Sequence, residues 1–371
     1  MKVTAAVATA PRAPLEILDL ELDEPRPDEI RVRLVATGVC HTDAKVRDRQ
    51  GADWLPAVLG HEGAGIVEAV GEEVAGLAIG DRVLLSFDHC GACANCRAGL
   101  PSYCDTYDAR NFGGSRLDGS VSLRRDGRPV RSHFFGQSSF ATHANVAAHS
   151  AIKVAHDAPL EALAPLGCGV QTGAGVVLNT FRPEPGRSFA VFGAGAVGMS
   201  ALLAAVAADC GTIIAIDRNA ERLALAAELG ATHIIDPSTA DVEPAIRSAS
   251  PGGVDFALDT TGVAGVFTTM VRSLATRGHA GVVAGAPADA PVDFPTSALL
   301  GRGVRVSTII NGDSNPSEFV PELIRLWETG RFPFDRLVRT YPFEAVNDAF
   351  ADSASGATIK PVLRFERAAA G

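Results

Sequence analysis

Cys90, Cys93, Cys96 and Cys104 form a C-x2-C-x2-C-x7-C run whose intervening residues are small, polar or turn-forming. Such a loop can turn four sulfurs inward around one tetrahedral ion. Four thiolates fill every position on zinc, so a site of this kind is structural and not catalytic. Two disulfides would use the same residues, but nothing at the N-terminus reads as an export signal. An iron–sulfur cluster also takes four cysteines, usually with a shorter final gap and a proline after the last one. The reading is structural zinc.

A second set is scattered. Cys40-His41-Thr42-Asp43 follows an apolar strand pattern, Gly60-His61-Glu62-Gly63 places His61 twenty-one residues after Cys40, and Cys168 lies in Leu166-Gly167-Cys168-Gly169. Taken singly, each reads as a core cysteine or a loop histidine. Together, two thiolates and one imidazole leave one zinc position open, the mark of a catalytic site. Asp43 would accept the other ring N–H of His61 and hold its tautomer. The seventh cysteine, Cys210, has no partner in sequence and reads as core.

The third motif is Gly193-Ala194-Gly195-Ala196-Val197-Gly198, directly after an apolar strand and opening an alanine-rich helix. The first glycine permits a tight turn, the second lets backbone approach a pyrophosphate, and the third packs helix on strand. Phosphates would then meet the free N–H groups and positive dipole end of a helix. Asp217, nineteen residues past Gly198, ends the next strand, where a carboxylate accepts from ribose hydroxyls and repels a 2′-phosphate. NAD is therefore expected over NADP, with the neighbouring Arg218 the one feature favouring a phosphate.

The elements that must position these residues fall into three stretches. Residues 1–165 read as mainly β, with strands over Ile30 to Leu34, Ile66 to Val70 and Arg82 to Leu85. Residues 166–310 alternate strands with helices: Phe189 to Phe192, helix Ala196 to Ala208, Thr212 to Ile216, helix Ala220 to Leu229, His233 to Ile235, and strands near 255–258, 281–284 and 304–309. That alternation predicts a doubly wound parallel sheet. Residues 311–371 hold one helix (Glu318 to Thr329) and a strand near 361–365, too little for a domain. The tail is expected to complete the first domain, leaving the Rossmann domain inserted within it.

The totals agree with an α/β enzyme of two domains. The chain has 371 residues, 47% hydrophobic and 20% charged, with 38 glycines for tight strand–helix turns. A net charge of −10 without a basic cluster argues against nucleic acid or anionic membrane partners. No uninterrupted apolar stretch reaches the roughly 18 residues of a membrane span. A cytoplasmic protein is expected.

These motifs resemble those of the zinc-dependent medium-chain alcohol dehydrogenases, and within them the aryl (benzyl) alcohol branch. The likeness spans essentially the whole chain. It rests on G-V-C-H-T-D, G-H-E-G-A-G, the four-cysteine loop, F-F-G-Q-S-S-F-A-T, L-G-C-G-V-Q-T-G-A-G, the glycine fingerprint, and the tail G-R-F-P-F-D-R-L with I-K-P-V-L-R. The resemblance implies a GroES-like β-rich catalytic domain and reversible oxidation of a primary aromatic or allylic alcohol to the aldehyde, with hydride transfer to NAD. It implies two zinc ions per chain, with Cys40, His61 and Cys168 on the catalytic one and Glu62 as an occasional fourth ligand. It places Thr42 as the hydroxyl that takes the alcohol proton and Thr172 against the nicotinamide. Gly193, Gly195, Val197, Gly198, Asp217 and Arg222 would hold the dinucleotide, with His41 and Lys360 near its pyrophosphate. A homodimer is implied as well.

One position departs from the family pattern. Many relatives carry a histidine five residues after the first zinc cysteine, and here that place is Lys45. The proton relay is in doubt, not the hydride chemistry. Trp54, Ser86 and Phe140 are candidates for lining the substrate pocket. Three other readings stay open: a dehydrogenase of thiol–formaldehyde adducts using glutathione or mycothiol, a polyol or secondary-alcohol dehydrogenase, and a non-catalytic NAD-responsive zinc protein.

Overall fold

The computed structural model describes residues 1–51, 53–285, 287 and 290–366. Two compact units emerge: Met1–Cys168 with Asn315–Pro321 and Asp335 onward, and Gly169–Ser314 with Glu322–Phe334.

The first unit is built on strand Glu29–Gly38, which alternates inward Ile30, Val32 and Leu34 with outward arginines. It pairs antiparallel with Gly63–Val70, His143–Ala147 and the tail strand Lys360–Arg364. The tail strand is thereby part of this unit. Beyond Gly63–Val70 lie Arg82–Leu85 and Ala151–Lys153. The inward face closes over Val67, Val83, Leu85, Ala144 and Val146. A second sheet, led by Lys2–Ala8 and Glu16–Leu22, packs its apolar face with Phe87, Phe134, Phe140 and Phe350.

Strand register places the chemistry. Thr37 pairs with Gly63, so the two chains leave their ladder side by side, one toward Cys40 and the other from His61 and Glu62. Gly38 is required there, since a Cβ would sit 1.9 Å from Oε2 of Glu62. From Cys40 the chain enters helix His41–Arg49, which the sequence reading does not anticipate.

The second unit is a six-stranded parallel sheet in the order His233–Ile235, Thr212–Ile216, Ser188–Phe192, Val254–Asp259, Leu274–Val282, Arg305–Thr308. This is the doubly wound order expected of a dinucleotide fold. Helices Val242–Ala249 and Ala264–Ser273 complete its cover without a strong sequence signal. The domain limits read from sequence (165/166 and 310/311) differ from the compact units in one substantial way: Glu322–Phe334 belongs with the second unit. Arg331 donates to the carbonyl of Ala207 and pairs with Asp209, while Phe332 and Phe334 are fully buried.

Among the described residues, no helix is long and apolar enough to cross a membrane.

Candidate active site and metal centres

Ligand atoms of Cys40, His61, Glu62 and Cys168 all lie within 4.8 Å of one another, and all four residues belong to the first unit. Asp43 organises two of the segments. Its Oδ2 accepts the N–H of Cys40 at 2.9 Å, and its Oδ1 accepts the N–H of Gly60 at 3.1 Å and His61 Nδ1 at 2.8 Å. A buried carboxylate only accepts, so Nδ1 bears the proton and Nε2 presents a lone pair. That Nε2 is buried without a hydrogen-bond partner among the described residues. An orphaned imidazole nitrogen beside two sulfurs is what a tetrahedral soft metal would satisfy. The residues fit zinc.

Electrostatics agree. The hydrogen bond from Cys168 pulls the Cys40 thiol well below its ordinary range against the cost of burial, helped by His61. The same bond, with burial, pushes Cys168 up. A cation between the two sulfurs would take the place of that hydrogen bond. Burial disfavours the charged form of His61, but Asp43 and the Cys40 sulfur outweigh it and raise its pKa, so the pocket favours a positive charge that a cation would supply in place of a proton on Nε2.

Cys168 reaches the cluster through a tight approach of its own loop. Gly167 lies so close to strand Arg82–Leu85 that a Cβ would meet the Leu85 carbonyl at 2.1 Å. Ser86 Oγ donates to the Gly167 carbonyl at 2.8 Å. Ser86 is therefore a support for the Cys168 loop, and Phe140, fully buried edge-on to Phe350, is core. Trp54 packs under the Arg131 guanidinium and gives it a carbonyl acceptor at 2.7 Å.

In the four-cysteine loop all four sulfurs lie within 4.8 Å of one another. Backbone N–H groups point at them: Cys93 at 3.2 Å and Ala92 at 3.4 Å from the Cys90 sulfur, Cys90 at 3.2 Å from the Cys104 sulfur. Gly91 and Gly99 take the positive φ that such knuckles need. None of the seven cysteines, all of them among the described residues, is in a disulfide, so that alternative is set aside. The N–H of Asp105 and that of Cys96 draw Cys93 down to about 6, while burial and its neighbour Cys93 push Cys96 up to about 12.

In the second unit, the glycine turn has the shape of a phosphate cradle. Gly193 sits at φ +95°, and a Cβ on Gly198 would lie 1.8 Å from the Gly193 carbonyl. A Cβ on Gly195 would meet only the Arg222 guanidinium, at 4.0 Å. Gly195 begins helix Ala196–Ala207 with no side-chain cap, leaving its first N–H groups to a ligand. The Asp217 carboxylate accepts from Ala194 N–H at 2.6 Å and Asn219 N–H at 2.9 Å, which aims it at the turn. Arg222 Nε is buried without a hydrogen-bond partner among the described residues. The residues fit a dinucleotide. Val197 and Thr172 are each partly exposed on their helices.

Residues 26–156 match the alcohol dehydrogenase GroES-like domain and residues 196–329 the zinc-binding dehydrogenase domain. Over 97% of its length, and 97% of the relative's, the chain is 46% identical to a geraniol dehydrogenase of Castellaniella defragrans. The chain belongs to the zinc-binding medium-chain alcohol dehydrogenases. Two solved structures agree along the full chain. An alcohol dehydrogenase zinc-binding domain protein from Burkholderia ambifaria is 51% identical, with a TM-score of 0.96, covering 99% of this chain and all of that one. A benzyl alcohol dehydrogenase from Acinetobacter calcoaceticus is 43% identical, with a TM-score of 0.95 and the same coverage. The protein is thus a zinc-dependent oxidoreductase of a family that works with NAD(H).

Within this dehydrogenase two expected site residues form a pair that their sequence reading does not anticipate. Lys360, expected near the pyrophosphate, is 2% exposed, and its ammonium lies 2.8 Å from both Glu62 oxygens and 3.3 Å from the Val39 carbonyl. Burial opposes its charge, yet Glu62 raises its pKa. Glu62, the occasional fourth ligand, is pushed up by burial and held partly in check by Lys360. Both carboxylate oxygens are thereby committed to the ammonium. His41 and Lys45 are exposed on their helix, and Thr42 is partly buried in its first turn.

Sequence reasoning missed the support of His61. Phe135 stacks on its ring at 4.5 Å and Phe134 meets it edge-on at 5.4 Å. Gln137 bonds its backbone. The signal was the F-F-G-Q motif, which carried the resemblance without a role.

Proposed function

We propose that this chain oxidises primary aromatic or allylic alcohols to aldehydes, reversibly, with NAD as hydride acceptor. The convergence of Cys40, Cys168 and the orphaned Nε2 of His61 carries the reading, because it supplies three ligands and leaves a fourth position for substrate. The substrate class rests on the two relatives named for geraniol and benzyl alcohol. We take each chain to hold two zinc ions, one at Cys40, His61 and Cys168 and one in the four-cysteine loop.

Zinc, when bound, would supply a Lewis acid that eases loss of the alcohol proton and polarises the aldehyde carbonyl. The protein's own groups do the rest. Asp43 keeps His61 in the tautomer whose Nε2 can ligate. Thr42 accepts a hydrogen bond from the alcohol and gives up its own hydroxyl proton toward solvent as it takes the alcohol's. The buried Glu62–Lys360 pair adds no net charge beside the sulfurs. Gly193, Gly195, Val197 and Gly198 cradle the dinucleotide phosphates, with Asp217 and Arg222 on the adenosine ribose and Thr172 at the nicotinamide. The working form is a cytoplasmic homodimer.

The test is NADH formation, followed at near-ultraviolet wavelengths, from zinc-loaded protein given NAD with benzyl alcohol or geraniol. Rapid reduction with either supports the assignment. Turnover only with formaldehyde plus glutathione or mycothiol would move the protein to the thiol-adduct class.

A further inference from the structure

We propose, on the metal-site reading above, that Gln137 is a positioning residue that holds the His61 backbone so that Nε2 faces the two sulfurs. Gln137 is fully buried. Its Oε1 accepts the N–H of Gly63 at 3.0 Å, and its Nε2 donates to the His61 carbonyl at 3.0 Å and the Ser86 carbonyl at 3.2 Å. Both amide protons and the acceptor are therefore spent on backbone. The bonded peptide groups bracket Glu62, one on either side.

The neighbouring residues extend the clamp. Four consecutive carbonyls, Val58 through His61, accept in turn from Ser138 Oγ, Phe140 N–H, Ser139 N–H and Gln137 Nε2. Residues 137–140 thus act as the hydrogen-bonding partner strand for the segment that delivers His61. Phe135, Gly136 and Ser138 take positive φ, a conformation costly for the first and third, which folds Phe135 onto the His61 ring while Gln137 turns inward. The third bond reaches further. Ser86, whose carbonyl Gln137 holds, gives its hydroxyl to Gly167, the residue before Cys168. One side-chain amide therefore joins the His61 segment to the support of the Cys168 loop. An apolar side chain would fill the same space but take away the acceptor of the Gly63 N–H and the donor to the His61 and Ser86 carbonyls.

A plain packing role and a positioning role differ in what they move. The experiment uses the full chain and compares Gln137→Met, which keeps length but loses the amide, with Ser132→Ala, which takes the acceptor from the buried Ser122 N–H outside this clamp. Cobalt(II) and zinc(II) affinity are read by chelator competition, for the metal that Cys168→Ala loses. Melting temperature is recorded alongside. Gln137→Met is expected to weaken that metal about 10- to 100-fold and to alter the cobalt visible spectrum. Ser132→Ala is expected to lower the melting temperature at wild-type metal affinity. Wild-type affinity and spectrum in Gln137→Met would overturn the proposal. So would equal affinity losses in both variants that track their melting temperatures. Should Gln137→Met fail to fold, Gln137→Glu, which keeps the acceptor for Gly63, is read the same way. If wild type and Cys168→Ala bind the same metal equally well, the metal-site reading falls and the proposal with it.

Discussion

Lys360 holds its ammonium 2.8 Å from each carboxylate oxygen of Glu62, both side chains buried, across 298 residues of sequence. Removing one member leaves the other charged and enclosed. Lys360→Met is expected to cost about 3–5 kcal/mol in denaturant unfolding. The double change Glu62→Gln with Lys360→Met should cost clearly less than the sum of the singles, since both charges go together. Additive costs would mean that the pair is not energetically coupled.

The two sulfur clusters should separate cleanly. Cys168→Ala is expected to hold one zinc less per chain, keep its melting temperature and lose turnover. Cys96→Ser should also lose zinc, but its signature is a lowered melting temperature. Metal analysis with thermal melts on both variants checks this, and full activity in Cys168→Ala would refute its place on the catalytic metal.

Two glycines of one turn should fail in different ways. Gly198→Ala puts a methyl into the Gly193 carbonyl, so a destabilisation of about 1–3 kcal/mol is expected in unfolding. Gly195→Ala points its methyl into open space and should melt like wild type while binding NAD about tenfold or more weakly. Calorimetric titration with NAD, beside the melts, distinguishes them.

Asp217 is expected to set the dinucleotide choice. Its carboxylate is fixed by Ala194 and Asn219 N–H groups beside the cradle. Asp217→Asn removes the charge that repels a 2′-phosphate, so kcat/KM should fall for NAD and rise for NADP, moving their ratio by about tenfold or more. An unchanged ratio would take Asp217 out of the ribose site.

Acid stability should depend on Glu29. Burial works to raise its pKa, but the Arg116 guanidinium at 2.6 and 2.8 Å, with His133 and the Arg26 N–H, holds it well below the ordinary 4.5. A depressed folded pKa stabilises above the unfolded value and is lost as pH falls through the folded one. Glu29→Gln should therefore cost about 3 kcal/mol at pH 7, and the gap to wild type should shrink steadily below pH 4.5. Unfolding curves from pH 7 to pH 2 measure it. A gap that does not change with pH would remove the ionised carboxylate from the account.

The local devices were legible in the residues themselves. The cysteine knuckle lies within fifteen residues, and its N–H groups reach the sulfurs through turns that its glycines permit. The glycine fingerprint announced a strand, a turn and a helix, and Ser188–Phe192 and Ala196–Ala207 follow within a residue of their expected limits. Period-two alternation likewise marked the strand that leads to Cys40. In each case the partner atoms are near in sequence, so residue type and spacing carry the information.

The open metal site is of another kind. His61 could be suspected from sequence, but its neighbours are set by the Thr37–Gly63 register and by Ser86 touching Gly167. Lys360 could be suspected as a cofactor contact, and only the pairing of strand Lys360–Arg364 with Glu29–Gly38 brings it to Glu62. Gln137 shows the limit most plainly. A lone glutamine between phenylalanines has no periodicity to betray it, and its role depends on backbone groups of His61 and Gly63 that become neighbours only in the folded chain. Spacing reports which groups can meet along a turn. Which carbonyl needs a donor, and which buried charge needs a partner, is decided where distant strands come together.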